Sequence, residues 1–386
     1  MAHDSALAAE GEIGRINAFF PILPKLGNRW AASRPWDGLT IGLNLHLTTT
    51  TAALVKELRL GGGRFVLSAA SPATTDAGAV ALLRDLGVEV YTADDHEDPQ
   101  LAVLDHEPHL LGDAGFELIG RMLDERPELV ERQKGAVEST RSGIVRLRGH
   151  REPPGLPIIN IHDGRLKDAV ENRHGVGEGV WQAVTLLTGM HLAGRRLVVV
   201  GYGPVGRGLA AYARAANMSV EVVESDPVRR LFAHYDGYPT GELHDAVANA
   251  GIVATATGAA NALDLAAIQA APSGVVLLNA GHGNDEIDVP ALKDAAERAD
   301  HVADQVVRFT LEGGKRVTLL GDGNPLNIVT NSGSPEPVLL HSSVLGLTLE
   351  WIARFGDLAD GEQVVPAEIE TRAAILALEA LDPGAI

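Results

Sequence analysis

The sequence predicts an α/β fold built as two domains, each a parallel sheet layered with helices. Three observations carry this. The chain has 386 residues with 45% hydrophobic content, enough for two well-filled cores. Short apolar, β-branched runs alternate with helical stretches along most of it. One of these runs, 197–200, opens directly onto Gly201-Tyr202-Gly203-Pro204-Val205-Gly206 and then an alanine-rich helix through Ala216.

Taken in order, 40–45, 64–68 and 87–91 read as short strands separated by helical stretches. Asn28-Arg29-Trp30 and the proline-bearing segment 151–157 read as loops, the second leading into an apolar strand at 158–161. A long helical segment, 176–192, carries the domain junction. A second rhythm then begins, with buried strands expected at 197–200, 219–223, 252–255, 275–279 and 317–320. After Asn327 the pattern breaks into the loop 330–335, followed by a helix over 342–355. The expected domains are therefore 1–175 for substrate and catalysis, 176–334 for a dinucleotide, and 335–386 as a segment returning to the first domain.

Bulk composition narrows the function. A formal charge of −19, from 32 basic and 51 acidic residues, repels a phosphate backbone, so no nucleic-acid partner is expected. With no cysteine, disulfides, thiolate nucleophiles and Cys-based zinc sites are excluded, and no metal site is expected. There is no run of 18 apolar residues to suggest a membrane span, and Met1-Ala2-His3-Asp4 lacks the start of an export signal; a cytoplasmic location is the expectation.

The glycine motif is the strongest local signal. Gly201 permits a tight turn, Gly203 lets the backbone approach a pyrophosphate, and Gly206 allows close packing of helix on strand; Pro204 and Val205 open that helix. The helix N-terminus offers N–H groups and a positive dipole end to phosphates. About 20 residues on, Glu224 ends the next strand, where an acid accepts a ribose 2′-hydroxyl and repels a 2′-phosphate. These features imply a Rossmann domain binding NAD rather than NADP.

Around this motif the chain resembles the S-adenosyl-L-homocysteine hydrolase superfamily. The resemblance rests on Ile159-Asn160-Ile161-His162-Asp163-Gly164-Arg165-Leu166-Lys167 continuing through Glu171-Asn172-Arg173-His174-Gly175, on the glycine turn, on Glu224-Ser225-Asp226-Pro227, and on Asn279-Ala280-Gly281-His282 with Glu286-Ile287-Asp288. It holds in order from about Ile41 to Ser334. It implies a formate/glycerate-dehydrogenase-like arrangement of the domains, a tightly bound NAD recycled at each turnover, a nucleoside substrate, and a homodimer or homotetramer. The implied chemistry oxidises the 3′-hydroxyl, removes the now acidified C4′ proton, expels the 5′ substituent and reduces the ketone again.

By motif position, the resemblance assigns Lys167 to the 3′-hydroxyl proton, Glu171 to the sugar hydroxyls, and His46 and His282 to proton transfer at the 5′ position. Asn172, Thr140, Thr257, Asn279 and Asn327 match cofactor-side positions. Departures cluster around the substrate. The family's aspartate near C4′ falls at His106, a candidate replacement base; its ribose-binding glutamate falls at Ser139, an asparagine at His162, the base-reading glutamate at Thr50 beside Thr48, and a histidine at Ser334. Losing so many buried polar contacts changes what a site accepts. The leading expectation is a lyase that dehydrates a modified nucleoside to a 4′,5′-alkene in nucleoside natural-product biosynthesis. The alternatives are an adenosylhomocysteinase with a repacked pocket and a catalytically inactive, NAD-sensing paralogue.

Overall fold

A computed structural model describes residues 2–151, 153–281, 283–355 and 358–382. Along them run β1 (Thr40–Leu45), β2 (Arg64–Ala69), β3 (Glu89–Tyr91), β4 (Leu110–Asp113), β5 (Gly135–Glu138) and β6 (Pro157–Asn160). These are followed by β7 (Arg196–Val200), β8 (Ser219–Val223), β9 (Ile252–Thr255), β10 (Val275–Asn279), β11 (Ala296–Ala303), β12 (Val306–Leu311), β13 (Lys315–Leu320) and β14 (Gly361–Val364). The chain divides into one unit of Met1–Asp168 with Pro335–Ile386 and a second of Ala169–Ser334.

In the first unit the sheet order is β14-β6-β5-β4-β1-β2-β3, with every neighbouring pair parallel. A parallel sheet is covered on both faces, which is why β1, β2, β4, β5 and β6 are buried along nearly their whole length. The winding reverses between β1 and β4, and the crevice at the carboxyl ends of such strands is where this topology collects ligands. The segment 28–30, expected as a loop, is helical: it lies in the helix Ile22–Ser33. Ile22, Leu23, Leu26 and Trp30 share one buried face of that helix, while Asn28 and Arg29 point to solvent. Trp30, Trp36 and Phe65 pack edge to face, with ring centroids 5.1 and 5.9 Å apart.

The second unit's sheet runs β11-β12-β13-β10-β9-β7-β8. From β8 to β13 it is parallel, with a reversal between β7 and β9; β12 and β11 then add antiparallel strands at one edge. No apolar run marks that hairpin, because its residues alternate between buried and exposed or face solvent outright, unlike those of β9 and β10.

Other boundaries also shift. The helix expected over 176–192 is Gly177–Thr188 and stops where Gly189 turns left-handed at φ +63°. It is preceded by a π-helix, Lys167–Val176, and the division between units falls inside that segment, at 168/169 rather than 175/176. The helix expected to begin at Ser342 begins at Pro335, whose fixed φ suits a first turn. Among the described residues no helix is long and apolar enough to cross a membrane, and no cluster of His, Asp and Glu is placed to hold a metal ion.

Candidate active site

In the second unit the chain leaves β7 through Gly201, held at φ +101°, a conformation other residues rarely adopt. A Cβ on Gly206 would lie 2.0 Å from the Gly201 carbonyl oxygen, so helix and strand can meet this closely only without a side chain there. The helix Pro204–Ala215 begins after Gly203 with no side-chain cap. Its first-turn N–H groups at Val205 and Gly206 are thus left for an anion. Pro204 has no N–H to give, and its part is to pre-set the first helical φ.

Glu224 follows β8 and is largely buried. One carboxylate oxygen accepts from the Tyr202 N–H (2.7 Å) and the other from the Asp226 N–H (2.9 Å). A carboxylate has about four acceptor sites, so capacity remains for a ribose diol. Thr257 donates from its N–H and hydroxyl to the fully buried Glu286 at 2.7 and 2.9 Å, which fixes the loop after β9. Asn279, at the end of β10, is held on all sides by its own loops. Its oxygen accepts from Thr255 Oγ1 (3.1 Å) and the Gly281 N–H (2.7 Å), and its amide donates to the carbonyls of Gly283 and Gly323. The hydrogen-bonding capacity of its side chain is thus taken up in shaping the loop. Asn327 and Ser334 are half-buried later in the same unit, as are Glu171 and Asn172 within the π-helix. The glycine turn, the uncapped helix and the acid after β8 fit a dinucleotide.

In the first unit, neighbouring strands deliver side chains to one end of the sheet. After β1 comes His46, whose Nδ1 lies 2.6 Å from Thr74 Oγ1. Thr48 then caps the helix Thr49–Leu58 by accepting from the Thr51 N–H, with Thr50 Oγ1 2.9 Å from its own hydroxyl. β4 ends in Asp113 and β5 in Glu138, direct neighbours in register and both fully buried.

Asp113 accepts from Asn44 Nδ2 and the Ile119 N–H, each at 2.8 Å. Glu138 accepts from the N–H and hydroxyl of Thr140, both 2.8 Å, and from the N–H groups of Gly115 (3.2 Å) and Phe116 (2.9 Å). Burial, and for Glu138 also the neighbouring Asp113 charge, push both above the ordinary carboxylate range, Asp113 to about 6 and Glu138 to about 8. Ser139 donates to the Asp113 carbonyl (2.9 Å), and Thr140 caps the helix Arg141–Gly149.

Beyond β6 lie His162 and Lys167, both half-buried. The turn carrying Lys167 is pinned from the C-terminal helix Ala367–Leu381: buried Glu370 accepts from the Leu166 N–H (2.8 Å) and from Arg165 Nε (3.3 Å). The helix Pro335–Arg354 contributes His341, whose two ring nitrogens are covered and have no hydrogen-bond partner among the described residues.

His106 is not brought to this end. It precedes β4 and so lies toward the strand's amino end, where its Nε2 meets the Tyr91 hydroxyl (2.8 Å) and a Glu89 carboxylate oxygen (3.2 Å). Sequence patterns alone miss the acids that do stand here, Asp113 and Glu138, and also His341. β4 and β5 each carry only two apolar side chains in a row, Leu110-Leu111 and Ala136-Val137, too few to register as apolar runs, and His341 lies just before the helix expected from Ser342. His282 lies outside the described residues.

Fold and site thus define a two-domain α/β protein that binds NAD. Residues 172–333 match the family model described as S-adenosyl-L-homocysteine hydrolase, NAD binding domain. An S-inosyl-L-homocysteine hydrolase of Methanopyrus kandleri is 34% identical over 98% of this chain and 92% of its own. An adenosylhomocysteinase of Thermotoga maritima is 32% identical over 96% of this chain and 94% of its own. The chain belongs to the S-adenosyl-L-homocysteine hydrolase family. A crystal structure of a dipicolinate synthase polypeptide from Bacillus halodurans shares the fold alone: 11% identity, TM-score 0.53, 83% of this chain and 99% of that one.

Proposed function

We propose that the chain acts on a nucleoside by transient oxidation at C3′ and cleavage of a bond at C5′. The observation that carries this is the convergence of His46, Asp113, Ser139 and Lys167 on the carboxyl ends of neighbouring strands, in a chain that also holds a dinucleotide site. When bound, NAD supplies reversible hydride acceptance at the sugar. Lys167, held by the Glu370-pinned turn, takes and returns the proton of the 3′-oxygen. Asp113, rather than His106, is the group at this sheet end suited to the C4′ proton, since burial raises its proton affinity toward neutrality. His46 delivers a proton to the group leaving C5′.

Full-length similarity to hydrolases of S-inosyl- and S-adenosyl-L-homocysteine supports a nucleoside thioether as substrate and water as the second reactant. A second reading rests on Thr50, Ser139 and Ser334 standing where the resemblance expects longer polar side chains: a different nucleoside that loses water to a 4′,5′-alkene. One experiment separates them. The NAD-loaded protein is incubated in D₂O with both thioethers and with adenosine and inosine, and the products are followed by mass spectrometry. Release of homocysteine establishes the first reading and loss of water the second. Absence of both, together with no deuterium at C4′, would sink the proposal.

A further inference from the structure

Most histidines with covered ring nitrogens are held by a carbonyl, a carboxylate or a hydroxyl. His341 is not: both its ring nitrogens are covered, and neither meets a donor or acceptor among the described residues. A polar group left so destabilises the fold, and folded proteins seldom retain one without a use. His341 sits in the second turn of the helix Pro335–Arg354, near enough to Lys167 and His162 for their charges to disfavour its protonation. Burial acts in the same direction and is the larger cause, so the imidazole is neutral. A neutral imidazole presents one N–H donor and one acceptor nitrogen, the complement of a hydroxyl.

A sugar contact expected from the sequence has changed in a matching way. Ser139 stands where the resemblance puts a ribose-binding glutamate, and its hydroxyl hydrogen goes to the Asp113 carbonyl. It cannot replace the carboxylate that would have accepted from the sugar.

We propose that His341 reads the sugar: its imidazole binds the hydroxyl beside the one handled by Lys167, the 2′-hydroxyl of the nucleoside. This rests on the nucleoside reading of the same crevice and adds the residue that selects the sugar.

The test uses the NAD-loaded protein and its His341→Leu and His341→Asn variants. Binding of adenosine and inosine and of their 2′-deoxy counterparts is measured by calorimetry, and the unfolding midpoint of each protein is measured without nucleoside. Wild type should prefer the ribonucleosides by at least about tenfold, because a site built to hydrogen-bond a hydroxyl penalises its loss. His341→Leu should bind both sets alike, at the deoxy level, and unfold no earlier than wild type, since no partner is lost. His341→Asn, which keeps a donor and an acceptor, should recover part of the preference. If His341→Leu discriminates as wild type does, or wild type binds both sets equally, the assignment of His341 is overturned while the nucleoside reading stands. If wild type binds none of the four, both are overturned.

Discussion

Where β7 passes to β8 and β9 in the second unit, and where β1 passes to β2 and β4 in the first, the chain winds in the same way: the first strand ends up between two parallel neighbours. The residues past each first strand differ. β7 opens onto glycines and a helix that no side chain caps, so backbone N–H groups are left for a phosphate. β1 opens onto His46 and Thr48, and Thr48 satisfies its own helix. One strand end offers main chain and suits a phosphate; the other offers side chains and suits a reacting centre. The same topology is thus fitted to a cofactor or to the proposed substrate by a few residues past one strand end.

Perturbing one crevice should leave the other working. The largest effect is expected from Lys167→Met: kcat falls by about 10²–10⁴ while the NAD content of the purified protein is unchanged. Loss of NAD in that variant would break the division of labour. Gly206→Val places carbon against the Gly201 carbonyl and should weaken NAD binding by about 100-fold, roughly 2.7 kcal/mol. Equilibrium dialysis would measure it, and unaltered nucleoside binding would sharpen the contrast.

Asp113 and Glu138 give the first unit a pH signature. Their folded-state proton affinities are raised, so the folded state holds more protons than the unfolded one between the ordinary carboxylate range and about 8, and stability should fall as pH rises through that window. Glu138→Gln should flatten this slope in chemical denaturation curves, at a cost of about 1–3 kcal/mol from the N–H donors its amide leaves unmet. A slope unchanged by the substitution would show that the pair does not share its charge as the geometry implies. The smallest effect is the loss of one cap: Thr48→Ala should cost about 1 kcal/mol in stability, read from the same curves.

Much of the second unit was legible from the sequence, because a turn that must approach a phosphate needs glycine and a strand buried on both faces must be apolar. β8, β9 and β10 lie where those rules put them. Less of the first unit was legible. His46, Ser139, His162 and Lys167 are recognisable in the chain, but His106 could be weighed as a base only until the sheet placed it toward the wrong end of β4.

By itself, the sequence determined the two α/β layers, the dinucleotide turn and the acid after β8, since each is a local pattern with a local physical cause. Only the tertiary structure decided that Asp113 and Glu138 share a buried strand end, that Asn279 is consumed in holding loops, and that Glu370 reaches back 204 positions to the turn bearing Lys167. It also decided that His341 is left without a partner among the described residues. Each of these depends on burial and on neighbours distant in the chain. Such electrostatic and hydrogen-bonding terms exist only once the sheet has assembled.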